Sequence, residues 1–435
     1  MTYLCDNIGA TPKGHLTFAG LDTVELANTY GTPLYLLDED RIRAHCRAFR
    51  DAFAKHFPAG SLPLYAGKAN AFSGLYKILK DEGMGIDVVS AGEIYLAKRA
   101  GFDLSLAFFH GNNKTDADID FALECGVGYF VADNREEIEA IDSIASRRGI
   151  KQKILLRLTP GIDPHTYEAV NTGRVDSKFG IAIATGQADE IVALTLQKEH
   201  IELCGFHCHV GSQVFYEDVF ERAVDVMLAF AASARKNLGY TAKMLDLGGG
   251  FGVRYTEKDP KVDPIERLAS IAERFHTTCA SLDFPEPHFF MEPGRSIVAD
   301  AGMTLYTVGS VKPIPGYKTY VSIDGGMADN PRYALYRSAY TLLAANKQNE
   351  THDKIVTVAG RCCESGDLIQ ENVPLPASIE KGDIVAVCTT GAYNDSMASD
   401  YNKLLRPPVV LIKNKIPRLA LRRGRFEDLG EREEF

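Results

Sequence analysis

Met244-Leu245-Asp246-Leu247-Gly248-Gly249-Gly250-Phe251-Gly252 sets a short, mostly apolar run directly before three consecutive glycines. A run of this kind suits a strand buried on both faces, stopping where the backbone must turn tightly or approach something closely. Seven further runs of the same texture lie N- and C-terminal to it: Leu64–Ala66, Ile86–Val89, Leu106–Phe109, Tyr129–Val131, Ile154–Leu158, Leu203–Val210 and His288–Met291. Between them lie helical stripes. Asn134 with Glu137 makes an N-terminal capping box, Ile138, Ile141, Ile144 and Ala145 repeat with helical spacing, and Gly149 closes the segment. Phe72, Leu75, Ile78 and Leu79, ended by Gly83, form a second stripe, and Val219, Phe220, Ala223, Val224 and Met227 a third. Strands and helices in alternation favour a (β/α)8 TIM barrel, an α/β fold, with an open doubly wound sheet as the alternative.

The texture changes after about residue 295. Leu305–Val308, Thr319–Ile323, Ile355–Val358, Ile384–Val387, Val409–Ile412 and Arg418–Leu421 read as strands, with a short helix expected over Tyr333–Ala345. His15–Ala19 is a strand that could join them. The expected organisation is a barrel over residues 31–294 and an all-β domain, sandwich or barrel, built from 1–30 with 295–435. Arg422–Phe435 is densely charged and reads as a surface tail.

The chain has 435 residues, too many for one compact core. Lys and Arg number 48 against 58 Asp and Glu, a net charge of −10 that argues against a nucleic-acid or anionic-membrane partner. No stretch is long and apolar enough to span a bilayer, and the N-terminus lacks the basic start and apolar run of a secretory signal. The nine cysteines show no zinc-knuckle or redox-pair spacing, so a reducing cytoplasm is expected.

In a (β/α)8 barrel the functional side chains follow the C-terminal ends of the strands. Those places hold Lys68, Ser90, His110, Asp133–Asn134, Thr159, His209, Gly248–Gly250 and Glu292. Lys68, amid small residues, reads either as a solvated surface lysine or as a nucleophile whose pKa desolvation would lower. Gly248–Gly250 is a structural turn or a phosphate-binding loop, and its spacing fits neither a dinucleotide motif nor a P-loop. His207 and His209 alternate along one strand. With Cys204 and Cys208 they invite a zinc assignment, but strand neighbours point in opposite directions, so ring stacking or barrel packing is favoured and no metal is expected. Glu292 is a surface ion-pair partner or the acceptor for a cationic ring nitrogen, and Arg295 suits a carboxylate or phosphate. Cys362–Asp367 holds two adjacent cysteines, buried or reactive. Lysine, stackable histidine, polyglycine loop and carboxylate, each ending a different strand, together match the needs of pyridoxal phosphate.

Ten segments carry a resemblance across essentially the whole chain. They are YAGKAN (65–70), DVVSAGE (87–93), HGNNK (110–114), DSKFG (176–180), HVGSQ (209–213), GGGFG (248–252), EPGRS (292–296), CCESGD (362–367), GAY (391–393) and YN (401–402). In this set the chain resembles the diaminopimelate decarboxylase family, among the alanine-racemase-like, fold type III pyridoxal-phosphate decarboxylases.

The resemblance implies a carboxy-lyase that converts meso-2,6-diaminopimelate to L-lysine and carbon dioxide, the last step of lysine biosynthesis. It implies Lys68 as the covalent holder of pyridoxal 5'-phosphate, His209 stacked on its ring and Glu292 paired with its ring nitrogen. Ser212, Gly249, Gly250, Pro293, Gly294 and Arg295 would complete the cofactor site with Tyr393. Arg295, Arg332, Tyr336, Glu364 and Tyr393 would bind the amino-acid substrate. Cys363 would donate a proton from the partner subunit of a homodimer whose active sites are shared across the interface. Glu364 after the cysteine favours diaminopimelate, since the typical ornithine enzyme has Asp there. GAY is followed by Asn394-Asp395, where the family usually has Gly or aromatic residues, which bears on local loop shape. The alternatives are a related decarboxylase of D-ornithine or D-lysine, of carboxynorspermidine or of carrier-linked glutamate, and a non-catalytic regulator of the antizyme-inhibitor kind.

Overall fold

The computed structural model describes residues 3–163, 176–216 and 218–434. They form two compact units, one of residues 43–252 and 262–296 and the other of 1–42, 253–261 and 297–435.

The first unit is the barrel. Its strands are β1 (Leu62–Ala66), β2 (Gly85–Val88), β3 (Ala107–Phe109), β4 (Tyr129–Ala132), β5 (Gln152–Thr159), β6 (Ile201–His207), β7 (Met244–Asp246) and β8 (His288–Met291). All neighbours pair in parallel from β1 to β8, and β8 pairs with β1 through Phe290–Leu62 and Met291–Pro63, so the sheet closes. Each of the eight expected runs is one of these strands. A buried cluster of Leu64, Phe108, Val131, Leu155, Cys204, Met244 and Phe290 draws one residue from each of seven strands. Only the inside of a closed barrel brings those strands together, so the interior is packed rather than hollow. Phe108 stacks on Tyr129 at a 4.5 Å ring separation and meets Phe290 at 5.3 Å.

The helices follow the sequence signals, with one change at a cap. The Asn134 side chain accepts the Glu137 N–H and Gly149 closes the helix Arg135–Arg148 in the left-handed region at φ 65°. Glu137 does not return the bond to Asn134. Its carboxylate accepts the Asp133 N–H at 3.3 Å and pairs with the buried Lys114 ammonium. A buried lysine needs a charge partner more than an exposed backbone N–H does.

The second unit is dominated by β-structure. Its sheet runs Leu368–Leu375, Lys354–Ala359, Lys318–Ile323, Gly302–Ile314, Leu34–Asp38, Val409–Lys413, Ile416–Leu421. Leu34–Asp38 lies antiparallel to Gly302–Leu305 and parallel to Val409–Ile412, which places a segment from the expected barrel span in this unit. Its five residues are all buried, so its own pattern gives no hint of its distant partners. The helix expected over Tyr333–Ala345 is only Arg332–Tyr336. Arg337 is left-handed at φ 55°, and Leu342–Ala344 is a strand antiparallel to Ile384–Cys388. His15–Ala19 contains the strand Leu16–Phe18, flanked by Ile8–Ala10 and Leu21–Asp22.

Among the described residues no helix is long and apolar enough to cross a membrane. Replacing Phe108 with Ala should open a cavity at the centre of the barrel interior. A destabilisation of about 3–5 kcal/mol is expected, read from urea-denaturation midpoints; a change below about 1 kcal/mol would mean that this layer collapses to fill the space.

Candidate active site

Every strand of the barrel ends on a polar group or a glycine. Lys68 lies two residues beyond β1, Ser90 two beyond β2, His110 one beyond β3, Asp133 one beyond β4, His209 and Gly248 two beyond β6 and β7, and Glu292 one beyond β8. Thr159 is the last residue of β5. Strand β6 stops at His207, short of the expected Val210, so His207 and His209 do not share one continuous strand.

Lys68 occupies a short 3-10 turn, Gly67–Ala69. Its Nζ stands 3.4 Å from Oδ2 of Asp87, which is fully buried at the end of β2. The lysine side chain is 40% exposed, so the strong desolvation expected at this position is not what the site provides. His209 Nδ1 accepts the Gly249 N–H at 3.2 Å. Burial and the Lys68 charge together hold its imidazole well below the usual range, consistent with a neutral ring that carries its proton on Nε2. Gly250 has φ 122°, and a Cβ there would lie 2.2 Å from the Gly211 carbonyl; one on Gly249 would lie 2.1 Å from the Glu292 carbonyl. Only glycine permits these approaches. Arg295 Nη2 donates to Ser212 Oγ at 2.9 Å, bringing two of the expected cofactor ligands together.

Glu292 is the innermost of these groups. His110 Nε2 is 3.0 Å and His207 Nε2 3.2 Å from its Oε1, and all three side chains are at most 4% exposed. With Asp246 they form a buried quartet offering one ligating atom each, all within 4.8 Å of one another. Cys204 and Cys208 take no part. The sequence marks His110 by its place after a strand and by the HGNNK segment, with no role attached, and attaches none to Asp246. Their signal was position, since each lies at or just beyond a strand end. Burial pushes His207 down to about 3, against the pull of Glu292, which leaves its ring neutral near pH 7. Burial also pushes Asp246 well up, with the Glu292 charge adding to it, which favours the protonated form. Burial alone would raise Glu292 as well, but His110 and His207 hold it well below the ordinary carboxylate range.

The site can hold pyridoxal phosphate. It offers an amine at the mouth, an imidazole, glycines that bare the backbone, and a buried carboxylate held below its usual range. The remaining expected residues belong to the other unit. The Arg332 guanidinium is buried, donates to Tyr340 Oη at 2.8 Å and lies 4.6 Å from the Tyr255 ring centroid. Tyr340 Oη in turn donates to Asn394 Oδ1 at 3.2 Å, so the departure from the family pattern at Asn394 is a buried acceptor in this chain of bonds. Tyr336 is half-buried, and Tyr393 has a left-handed backbone at φ 61°.

Of the adjacent cysteines Cys362 is buried and Cys363 exposed. Asp367 accepts the Cys362 N–H at 2.6 Å and the Met327 N–H at 2.6 Å, and Asn402 Oδ1 accepts the Cys363 N–H at 2.7 Å. Glu364 is exposed, its Oε1 accepting the Gly366 N–H at 3.1 Å.

Burial pushes the Glu93 carboxyl up to about 7, although the Val89 N–H donates to it and Lys68 attracts it. The folded chain therefore holds a proton that the unfolded chain releases near pH 4.5, and the associated stability is lost as pH rises through about 7. Glu93→Gln should leave stability little changed at pH 4.5 and raise it by about 1–3 kcal/mol at pH 8. Urea midpoints at the two pH values check this; a pH-independent difference would contradict it.

Residues 39–299 match the family model of the pyridoxal-dependent decarboxylases, pyridoxal binding domain. The chain is 42% identical over 416 residues to the diaminopimelate decarboxylase of Bacillus subtilis (strain 168), covering 96% of this chain and 94% of the relative. It is 41% identical over 422 residues to that of Staphylococcus aureus (strain COL), covering 96% and 97%. Among solved structures, the diaminopimelate decarboxylase of M. jannaschii in complex with L-lysine superposes with a TM-score of 0.90 at 31% identity, covering 99% of this chain and 98% of that one. A lysine/ornithine decarboxylase from Vibrio vulnificus, complexed with putrescine, follows at 0.75 and 26%, covering 91% and 98%. With the barrel, the strand-end groups and these likenesses in agreement, the chain belongs to the diaminopimelate decarboxylase family of pyridoxal-dependent decarboxylases.

Proposed function

We propose that the chain releases carbon dioxide from meso-2,6-diaminopimelate to give L-lysine, using pyridoxal 5'-phosphate. The observation that carries this reading is the placement of Lys68, His209, the glycine loop and Glu292 at the ends of four strands. The chain in which they stand is 42% identical to a diaminopimelate decarboxylase along nearly its whole length.

In this reading Lys68 would hold the cofactor covalently, with His209 against its ring. Ser212, Gly249, Gly250 and the backbone of Pro293, Gly294 and Arg295 would hold the phosphate, with Tyr393. Bound pyridoxal phosphate supplies a ring able to accept the electron pair left when the bond between Cα and the departing carboxylate breaks. Glu292 favours that acceptance by placing an anion where the ring nitrogen carries a proton. Asp87 holds the Lys68 ammonium when the amine is free. Cys363, the exposed one of the two adjacent thiols, returns a proton to Cα. Substrate selection falls to groups of matched charge: Arg295 and Arg332 for carboxylates, Glu364 for the distal ammonium, and Tyr336 and Tyr393 for hydrogen bonding. A homodimer sharing residues across its interface, working in the cytoplasm, completes the proposal.

Purified protein should be yellow, and borohydride followed by peptide mass spectrometry should find the cofactor on Lys68. Diaminopimelate should yield lysine in a panel with D-ornithine, D-lysine and carboxynorspermidine. Carbon dioxide released from one of the others but not from diaminopimelate would sink the substrate assignment. Cys363→Ala should keep the cofactor and lose at least about a hundredfold in kcat, the usual scale of a general-acid contribution. Near-normal turnover would remove the cysteine from the mechanism.

A further inference from the structure

The buried quartet around Glu292 contains two histidines to which the proposed reaction gives no task. His110 follows β3 and His207 ends β6, on different sides of the barrel, yet both direct Nε2 at the same carboxylate oxygen, at 3.0 and 3.2 Å. Their rings meet edge to face at 4.8 Å. Neither Nε2 has an aligned acceptor among the described residues, nor has Oε1 of Glu292 an aligned donor, and all are out of reach of water. Unsatisfied groups of this kind are costly when buried, and three meeting at one point satisfy one another most simply. The titratable and charged groups facing them are Asp87, whose Oδ1 is 3.9 Å from His110 Nε2, and Asp246, with Arg157 further off.

We infer that His110 and His207 are positioning residues of the cofactor site: they cap one oxygen of Glu292 with two Nε2–H groups. The carboxylate is thereby kept ionised without water, and its other oxygen is left for the ring nitrogen of pyridoxal phosphate. This rests on the assignment of Glu292 to that nitrogen and extends it. A hydrogen-bond donor that carries no charge stabilises the anion without cancelling it, so Glu292 keeps its charge for the cofactor. Burial favours the neutral form of His207, in agreement with this role. Burial and the Glu292 charge push Asp246 well up, toward the form that adds no second negative charge.

The test uses holoenzyme reconstituted with pyridoxal phosphate carrying nitrogen-15 in the ring, whose NMR shift separates protonated from unprotonated nitrogen. In the parent protein the nitrogen should stay protonated from pH 6 to 9. His207→Phe keeps a ring but removes the donors; it should let the nitrogen lose its proton within that range and weaken cofactor binding at least tenfold. His207→Gln restores an N–H donor and should return both readings toward the parent. His110→Gln and His110→Leu form a second such pair, should His207→Phe fail to fold by circular dichroism. A protonated nitrogen and unchanged cofactor affinity in both donor-free variants would overturn the inference. So would glutamine variants no better than the apolar ones. A stoichiometric divalent metal in the purified holoenzyme would also overturn it, since the imidazoles would then be giving lone pairs rather than N–H groups. If the parent protein takes up no pyridoxal phosphate at Lys68, the proposed function falls together with this inference. The variant results count against the inference alone.

Discussion

Closing a ring of eight parallel strands forces all eight C-terminal ends onto one rim, and the site depends on that constraint. No two of Lys68, His110, His209 and Glu292 are neighbours in sequence, yet the pairing of Met291 with Pro63 joins last strand to first and brings their ends round to the same face. The apolar layer across the barrel, from Leu64 to Phe290, closes the interior to water. Polar groups above that layer must therefore satisfy one another, a bound molecule or the solvent at the rim.

Depth sorts these groups by charge. Lys68 at the mouth keeps access to water and borrows Asp87 as a partner. Glu292 has no such access, and its neighbours are chosen accordingly: two imidazoles and a second carboxyl whose proton affinity burial raises. Two ionised carboxylates at this depth would repel strongly, and environments that drive their proton affinities apart remove the conflict. The same division separates the adjacent cysteines: Cys362 is buried, with its thiol pushed up to about 11, and Cys363 lies exposed.

Much of this was legible in the sequence because the barrel writes itself in local patterns. Short apolar runs, helical stripes and glycine stops each depend on a few neighbouring residues, so the eight strands and the polar groups at their ends could be read in order. The structure departs from the reading where a partner is remote. Leu34–Asp38 is a buried strand whose neighbours lie more than 260 residues away, and nothing in its five residues names them. The pairing of Leu342–Ala344 with Ile384–Cys388 is equally unannounced, and the local pattern there reads as helix. The strand pattern groups His207 with its neighbours in sequence, whereas what defines its place is a glutamate just after β8 and a histidine after β3.

The turn that carries Cys363 is fastened by side chains more than by sheet pairing. Asp367 grips two backbone amides, one on the turn and one at Met327, while Asn402, itself left-handed at φ 50°, holds the amide of the cysteine from a third segment. The thiol therefore sits on a three-point mount, and such a mount fixes position without depending on the twist of any one strand.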